Sequence, residues 1–386
     1  MIPLSVPNFK GNELAYVTHA VETEWVSTGG SYVDQFEEKI AAYCGAAGAV
    51  SCQNGTSGLH ISLLLCGVQA GEEVIVPTLT FIAAVNPVRY IGAEPVFMDC
   101  DDSLCMDPDK LESFCREECE LRDGVLTDRS NGKAIRAMVV VHVFGNMAKM
   151  ERILQIAKQF NLKVVEDATE ALGTYYTEGA FKGKYAGTMG DIGVYSFNGN
   201  KIITTGGGGM IVSMDTELLK HAKHLTTQAK VDVVNFIHDE VGYNYRMTNL
   251  QAALGLAQLE QLETFIQIKE ENYLHYKDGL ETIQGLSLLP FESGIRTNHW
   301  FYSLYREDGF PMERDAMVQA FAAGGIQTRP IWGLIHQQKP YRNSRAYRIE
   351  RAEQYRERVV NVPCSTNLTA QQVDQVLDLL RDWSKK

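Results

Sequence analysis

The stretch Ser196–Val212, SFNGNKIITTGGGGMIV, follows an apolar run that ends in an aromatic residue, DIGVYSF (191–197). A single lysine, Lys201, sits in the polar turn, glycines occupy 206–209, and the chain becomes strand-like again at GMIV. Strand, turn and strand around one lysine is the pattern to explain. A lysine partly withdrawn from water loses its proton more easily and can then attack a carbonyl to form a Schiff base. Glycines beside it let other groups approach the backbone closely. Taken alone, Lys201 reads equally well as a surface lysine in a turn.

Outward from this stretch, apolar β-branched runs alternate with helical patterns. GAVSCQ (48–53), EEVIVP (72–77), EPVFMDC (94–100), IRAMVVVHVFG (135–145) and LKVVEDA (162–168) read as buried strands. SYVDQFEEKIAAYC (31–44) reads as a helix stopped by Gly45, NGTSGLH (54–60) opens another near Thr56–Ser57, a third runs through FIAAVNPVRYIG (81–92), and MERILQIAKQF (150–160) is a fourth. Continuous apolar strands between helices predict an α/β fold with a mostly parallel central sheet flanked by helices. Ligands of such sheets lie beyond the strand C-termini. Past residue 250 the character changes. Residues 249–283 read as one long amphipathic helix, NHWFYSLYRE (298–307) as an antiparallel strand, and 313–326 and 369–383 as helices. The expected division is a large domain, 1–260, with an N-terminal helical segment, and a smaller C-terminal α+β domain, 261–386.

The chain has 386 residues, 45% hydrophobic and 22% charged, which suits a globular protein. No apolar run reaches the roughly 18 residues of a membrane helix, and MIPLSVPNFKG (1–11) lacks the blocks of a signal peptide. A cytoplasmic location is expected, with no membrane partner. Net charge is −12 and no basic patch is interleaved with aromatics, so nucleic acid is not an expected partner. The eight cysteines form no CxxC. Cys115 and Cys119, four apart, would share a helix face, and His142 is too isolated to complete a zinc set. Reduced structural thiols and no metal are expected.

Three further strand ends matter. NGTSG (54–58) would hold a phosphate at a helix N-terminus, or simply cap the helix. Phe81, just past EEVIVP, is either a core residue or a flat ring set against a flat cofactor. Asp167 ends an apolar strand, where a carboxylate needs a cationic or strongly donating partner. That partner is a structural cation or a pyridine nitrogen. A phosphate cradle, a flat ring, an acid for a pyridinium and a Schiff-base lysine are together the parts that pyridoxal 5'-phosphate (PLP) requires.

On these motifs the chain resembles the DegT-type nucleotide-sugar aminotransferases, which are fold-type I PLP transferases. The resemblance runs from residues 11–45 through NGTSGLH, PTLTFIAAVNPV (77–88), EDATEALGTYY (166–176) and SFNGNKIITTGGGGM to VGYNYRMTNLQAALG (241–255), the most specific of them. It implies that Lys201 holds the cofactor aldehyde, Asp167 pairs with the pyridinium and Phe81 stacks on the ring. It implies that Thr56, Ser57 and Ser196 bind the phosphate. Asn244, as a cofactor ligand, and Arg246, as a substrate ligand, would reach into the site of a partner subunit in a homodimer. TRPIWGLIHQQKPY (328–341) looks like the family's sugar-side loop, which makes Trp332 and His336 substrate candidates. Glu170 stands where many members have Gln, beside the cofactor's phenolic oxygen. Gly207 replaces the Glu of the usual TTGEGG. The stretches 166–173, 196–201 and 238–246 look most like the branch acting on UDP-linked 4-keto-6-deoxy-N-acetylhexosamines, with L-glutamate as donor. The alternatives are 3-amination of a dTDP-keto sugar and a non-catalytic PLP-binding regulator. A PLP-dependent sugar dehydratase would carry a histidine in place of Lys201. A nucleotide-binding enzyme without PLP would need a strand-linked GxGxxG, which the chain lacks.

Overall fold

The structure, a computed structural model, describes residues 1–385. Seven strands form the central sheet: β1 (Gly48–Cys52), β2 (Glu73–Pro77), β3 (Glu94–Met98), β4 (Ala134–Val141), β5 (Lys163–Asp167), β6 (Ile192–Ser196) and β7 (Gly209–Ser213). Side by side they run β1-β7-β6-β5-β4-β2-β3. All are parallel except β7, which is antiparallel to both neighbours. Helices cover both faces, and so strands such as β2, β6 and β7 are buried along their whole length. The predicted α/β class and mostly parallel sheet are what the chain forms.

Two additions extend this sheet. A hairpin, Cys119–Arg122 with Val125–Asp128, pairs with β4 through Leu126 and Ile135. Ala346–Tyr347 lies parallel to β3 and forms that edge of the sheet. The hairpin corrects the expectation for the cysteines. The helix Pro108–Glu117 ends before Cys119, which opens a strand, so the two thiols do not share a helix face. All eight cysteines are buried and unpaired by disulfide.

A second, antiparallel sheet is built from Leu286–Leu288, Tyr302–Arg306, Val359–Val362 and Arg329–Pro330. Helices Arg314–Ala323 and Ala370–Ser384 accompany it, the latter opened by a capping box at Thr369 and Gln372. The chain's start joins this layer: the Ile2 amide donates to the Gly325 carbonyl, and the Cys364 amide to that of Leu4.

The long helix expected over 249–283 is two helices, Asn249–Leu259 and Leu262–Leu280. The first is buried on most sides by small residues, Ala252, Ala253, Gly255 and Ala257, while the second has one buried stripe. Different burial demands split the pattern at Glu260–Gln261. There Asn12, just before the N-terminal helix Glu13–Glu22, and Tyr16 within it donate to the Glu260 carboxylate at 2.8 and 2.7 Å. The helix expected through 81–92 is likewise a 3-10 turn, Ile82–Ala84, and a short helix, Asn86–Tyr90, with Pro87 in its first turn. Among the described residues, no helix is long and apolar enough to cross a membrane.

The glycine run serves packing more than room for a ligand. Gly206 turns with φ +78°, which a side chain would oppose. A Cβ on Gly209 would sit 2.6 Å from the Asn54 carbonyl carbon, so β7 lies flush against the turn leading out of β1. Gly207 faces open space, with a Gln251 side-chain atom at 4.0 Å. Gly209→Ala is therefore expected to cost about 1–3 kcal/mol by overpacking. Gly207→Ala should stay within about 0.5 kcal/mol of the parent. Paired thermal melts check both.

Candidate active site

The C-terminal ends of β1, β2, β4, β5 and β6 converge on one pocket, as the parallel topology requires. From β1 the chain passes through Asn54 into the helix Gly55–Leu65. The Asn54 side chain caps that helix by accepting the Ser57 amide at 2.8 Å. Gly55 and Thr56, at the N-terminus, line the pocket, where unpaired amides and the helix dipole favour an anion. A Cβ on Gly55 would lie 3.0 Å from Thr169 and 3.1 Å from Ser196, so that backbone is closed to side chains. Beyond β2, Phe81 projects at the pocket with 54% of its surface exposed, an unusual state for a phenylalanine in a fold with a large core.

Asp167 ends β5 on the pocket wall and is 3% exposed. Its carboxylate accepts the Thr169 amide at 3.1 Å. Burial raises its pKa above the ordinary carboxylate value, against the Thr169 hydrogen bonds and the charge of Lys201. The preceding residue, Glu166, points the other way, as alternation along a strand dictates. It binds His142 Nε2 at 2.9 Å and accepts the amides of Gly187 and Met189.

Lys201 extends into the same pocket. Its Nζ lies 3.5 Å from Glu170 Oε1 and 4.1 Å from the centre of the Trp300 ring. Trp300 is in turn held by a hydrogen bond from its Nε1 to the Asn200 carbonyl at 2.8 Å. Burial pushes the Glu170 carboxyl up to about 7, while the adjacent Lys201 charge and the Phe144 amide pull it down.

The structure thus gathers Thr56, Phe81, Asp167, Glu170, Ser196, Lys201 and Trp332 around one space. It does not bring the remaining candidates there within a single chain. Ser57 is buried one residue behind the wall. His336 is half-buried, with Nδ1 2.6 Å from the Thr78 hydroxyl, below the segment that leads to Phe81. Asn244 and Arg246 are exposed, outside the pocket, and Asn244 bridges to Thr227. Trp300 and Phe301 close the pocket and were hidden in what reads as a continuous strand. The strand begins only at Tyr302, and His299 adopts φ +50°. The Asn298 side chain makes this bend by donating to the carbonyls of Glu170 and Leu172 and accepting the Trp300 amide. An asparagine opening an aromatic run was the available signal. His224, Asp239 and Glu240 gather potential ligand atoms on the surface, where His224 and Asp239 already pair at 2.7 Å.

The sequence model of the DegT/DnrJ/EryC1/StrS aminotransferase family matches residues 7–381. The chain belongs to that family. It is 36% identical to the GDP-perosamine synthase of Caulobacter vibrioides over 98% of this chain and 97% of the relative. The aminotransferase TlmJ from Streptoalloteichus hindustanus superposes with a TM-score of 0.88 at 27% identity, over 99% of this chain and 98% of that one. DesI, solved in the presence of its TDP-sugar product, has a TM-score of 0.88 at 26% identity, over 100% and 93%. DegT-family members are PLP-dependent sugar aminotransferases, and this chain has that fold and that class of activity.

The pocket fits the cofactor on its own terms. The glycine-lined helix N-terminus offers an anion site. A buried carboxylate with one amide donor from its own chain remains open to a protonated ring nitrogen. Lys201 Nζ stands where an aldehyde would be captured, and the exposed Phe81 supplies a flat face.

Proposed function

We propose that the chain moves an amino group from L-glutamate to C-4 of a nucleotide-linked 4-keto-6-deoxy sugar, a UDP-linked N-acetylhexosamine. The observation that carries the transaminase chemistry is the meeting of Lys201, Asp167 and the Gly55–Thr56 helix terminus at one pocket. When bound, PLP supplies an aldehyde for amino groups and a ring that accepts the electron pair left when a carbon–hydrogen bond breaks. The chain's residues do the rest. Gly55, Thr56 and Ser196 would anchor the phosphate, with Ser57 holding the turn behind them. Asp167, as a carboxylate, would hold the protonated ring nitrogen. Lys201 Nζ would hold the aldehyde and, when free, would take up and return a proton in the pocket. Trp300, Phe301 and Trp332 exclude water from that transfer. His336 would act on the sugar side through Thr78 and the segment leading to Phe81.

The UDP-linked substrate is supported by the stretches 166–173, 196–201 and 238–246. A GDP-linked sugar is favoured by a different observation, the name of the Caulobacter relative. A panel of UDP-, GDP- and dTDP-linked keto sugars, added to the pyridoxamine form, decides between them. The UDP-4-keto-N-acetyl sugar should restore the PLP spectrum fastest. A faster return with the GDP sugar would replace the UDP assignment, and a return with a 3-keto sugar would replace the C-4 assignment.

The site is further proposed to be completed in a homodimer, with Asn244 and Arg246 reaching a partner's pocket. Their exposure, and their absence from the lining of their own pocket, support this. A two-fold dimer makes the exchange reciprocal. Lys201→Ala and Asn244→Ala chains, refolded as an equal mixture, would form about half mixed dimers, each with one intact site. Activity should then recover to about a quarter of wild type. No recovery means that Asn244 serves its own chain.

A further inference from the structure

Two buried carboxylic groups, Asp167 and Glu170, line one pocket with a single lysine, Lys201. The oxygens of Glu170 are placed differently. Oε2 accepts the Phe144 amide at 2.8 Å. Phe144 makes that contact from a left-handed backbone, φ +57°, a conformation unfavourable for a residue with a side chain. Its ring is packed against Trp332 at 4.5 Å and Phe301 at 5.6 Å between ring centres. Oε1 faces the pocket and stands 3.5 Å from Lys201 Nζ, longer than a charge-assisted hydrogen bond. The other titratable groups near Glu170 are Asp167, which disfavours a second negative charge, and the Cys105 thiol, which burial keeps neutral.

One cation cannot neutralise two buried carboxylates, and Asp167 is the one that must stay ionised if a pyridinium is to be held. Resting on the assignment of this pocket to PLP, we propose that Glu170 works as a neutral carboxylic acid, its Oε1–H donating into the pocket beside Lys201. The phenolic oxygen of PLP is ortho to its aldehyde carbon, so a donor beside Lys201 Nζ would lie within reach of that oxygen. A protonated Glu170 accepts from Phe144 with one oxygen and donates with the other. Glutamine has the same pattern, with its carbonyl toward Phe144 and its NH2 toward the pocket. Glu170 is thereby a glutamine-like residue whose donor is lost when it ionises. Burial, which pushes its pKa up to about 7, acts in the direction of this charge state.

The test has an arm without cofactor and an arm with it. In the cofactor-stripped protein, the sign follows from a folded-state pKa raised above the unfolded one: wild type loses stability as pH climbs from about 4.5 to 7 and no further above that. The melting temperature of Glu170→Gln minus that of wild type should therefore grow over this interval and level off beyond it. A difference that does not change with pH overturns the neutral state. In the second arm, Glu170→Gln should bind PLP within about threefold of wild type, and Glu170→Ala should bind about tenfold more weakly or worse. Glutamine binding as poorly as alanine would show that the charge, not the donor, is used, and would overturn the proposal. A wild-type chain that takes up no PLP overturns the pocket assignment and the proposal with it, and the first arm still tells the two failures apart.

Discussion

Lys201→Ala is expected to lower turnover by on the order of 10⁴-fold or more, because one atom is asked to do two jobs. In the proposed role, Nζ would both hold the cofactor aldehyde and move the proton that the amine–ketone exchange requires. Among the described residues no other lysine lines the pocket, and the neighbouring Trp300, Phe301 and Trp332 offer no base. The fold should not suffer. The Lys201 side chain makes one long contact to Glu170 and one to the Trp300 ring, and Trp300 itself is held independently by the Asn200 carbonyl. The variant should thus melt near the parent temperature while being inactive with every donor and acceptor tried. A variant that keeps a tenth of wild-type turnover would assign the proton transfer elsewhere.

Asp167→Asn should cost activity and gain stability. The amide keeps the shape and still accepts the Thr169 N–H, but it brings no negative charge to the ring nitrogen. Removing one partner of a buried ion pair is worth about 3–5 kcal/mol, which corresponds to roughly 10²- to 10⁴-fold in kcat/KM. The stability effect has the opposite sign. Burial raises the Asp167 pKa above its ordinary value, so keeping it ionised costs the cofactor-free fold stability once the pH exceeds the unfolded value, about 4. Cofactor-free Asp167→Asn should therefore melt higher than wild type at neutral pH and converge with it in acid. Loss of activity together with a lower melting point at pH 7 would instead identify Asp167 as a structural carboxylate. The predicted exchange of stability for function is common at active sites.

What was legible from the sequence follows physical lines. Strands buried on both faces appear as unbroken β-branched runs, so β2 to β6 could be placed and their C-terminal ends named. Lys201, Asp167 and Phe81 stand at such ends, and for that reason they were found. Trp300 and Phe301 escaped because the bend before Tyr302 is made by tertiary hydrogen bonds of Asn298, which no local pattern contains. The hairpin at 119–128 was missed for a related reason: its strands are four residues long and largely exposed at the tip, so no apolar run announces them. The split at Glu260–Gln261 reflects partners from the far N-terminus, Asn12 and Tyr16. His336 lay in an aromatic and polar stretch that suggested ligand contact, whereas its hydrogen bond to Thr78 places it beneath the wall. The glycines after Lys201 pointed to a close approach, and the group that approaches Gly209 is the backbone of Asn54.

The central claim is that Lys201 is the residue on which PLP is carried. Incubation of the purified protein with PLP, reduction with borohydride and peptide mapping test it directly. The expected result is a yellow protein whose colour borohydride discharges and a pyridoxyl group on the peptide containing Lys201. A protein that takes up no PLP, or a label on another lysine, would contradict it.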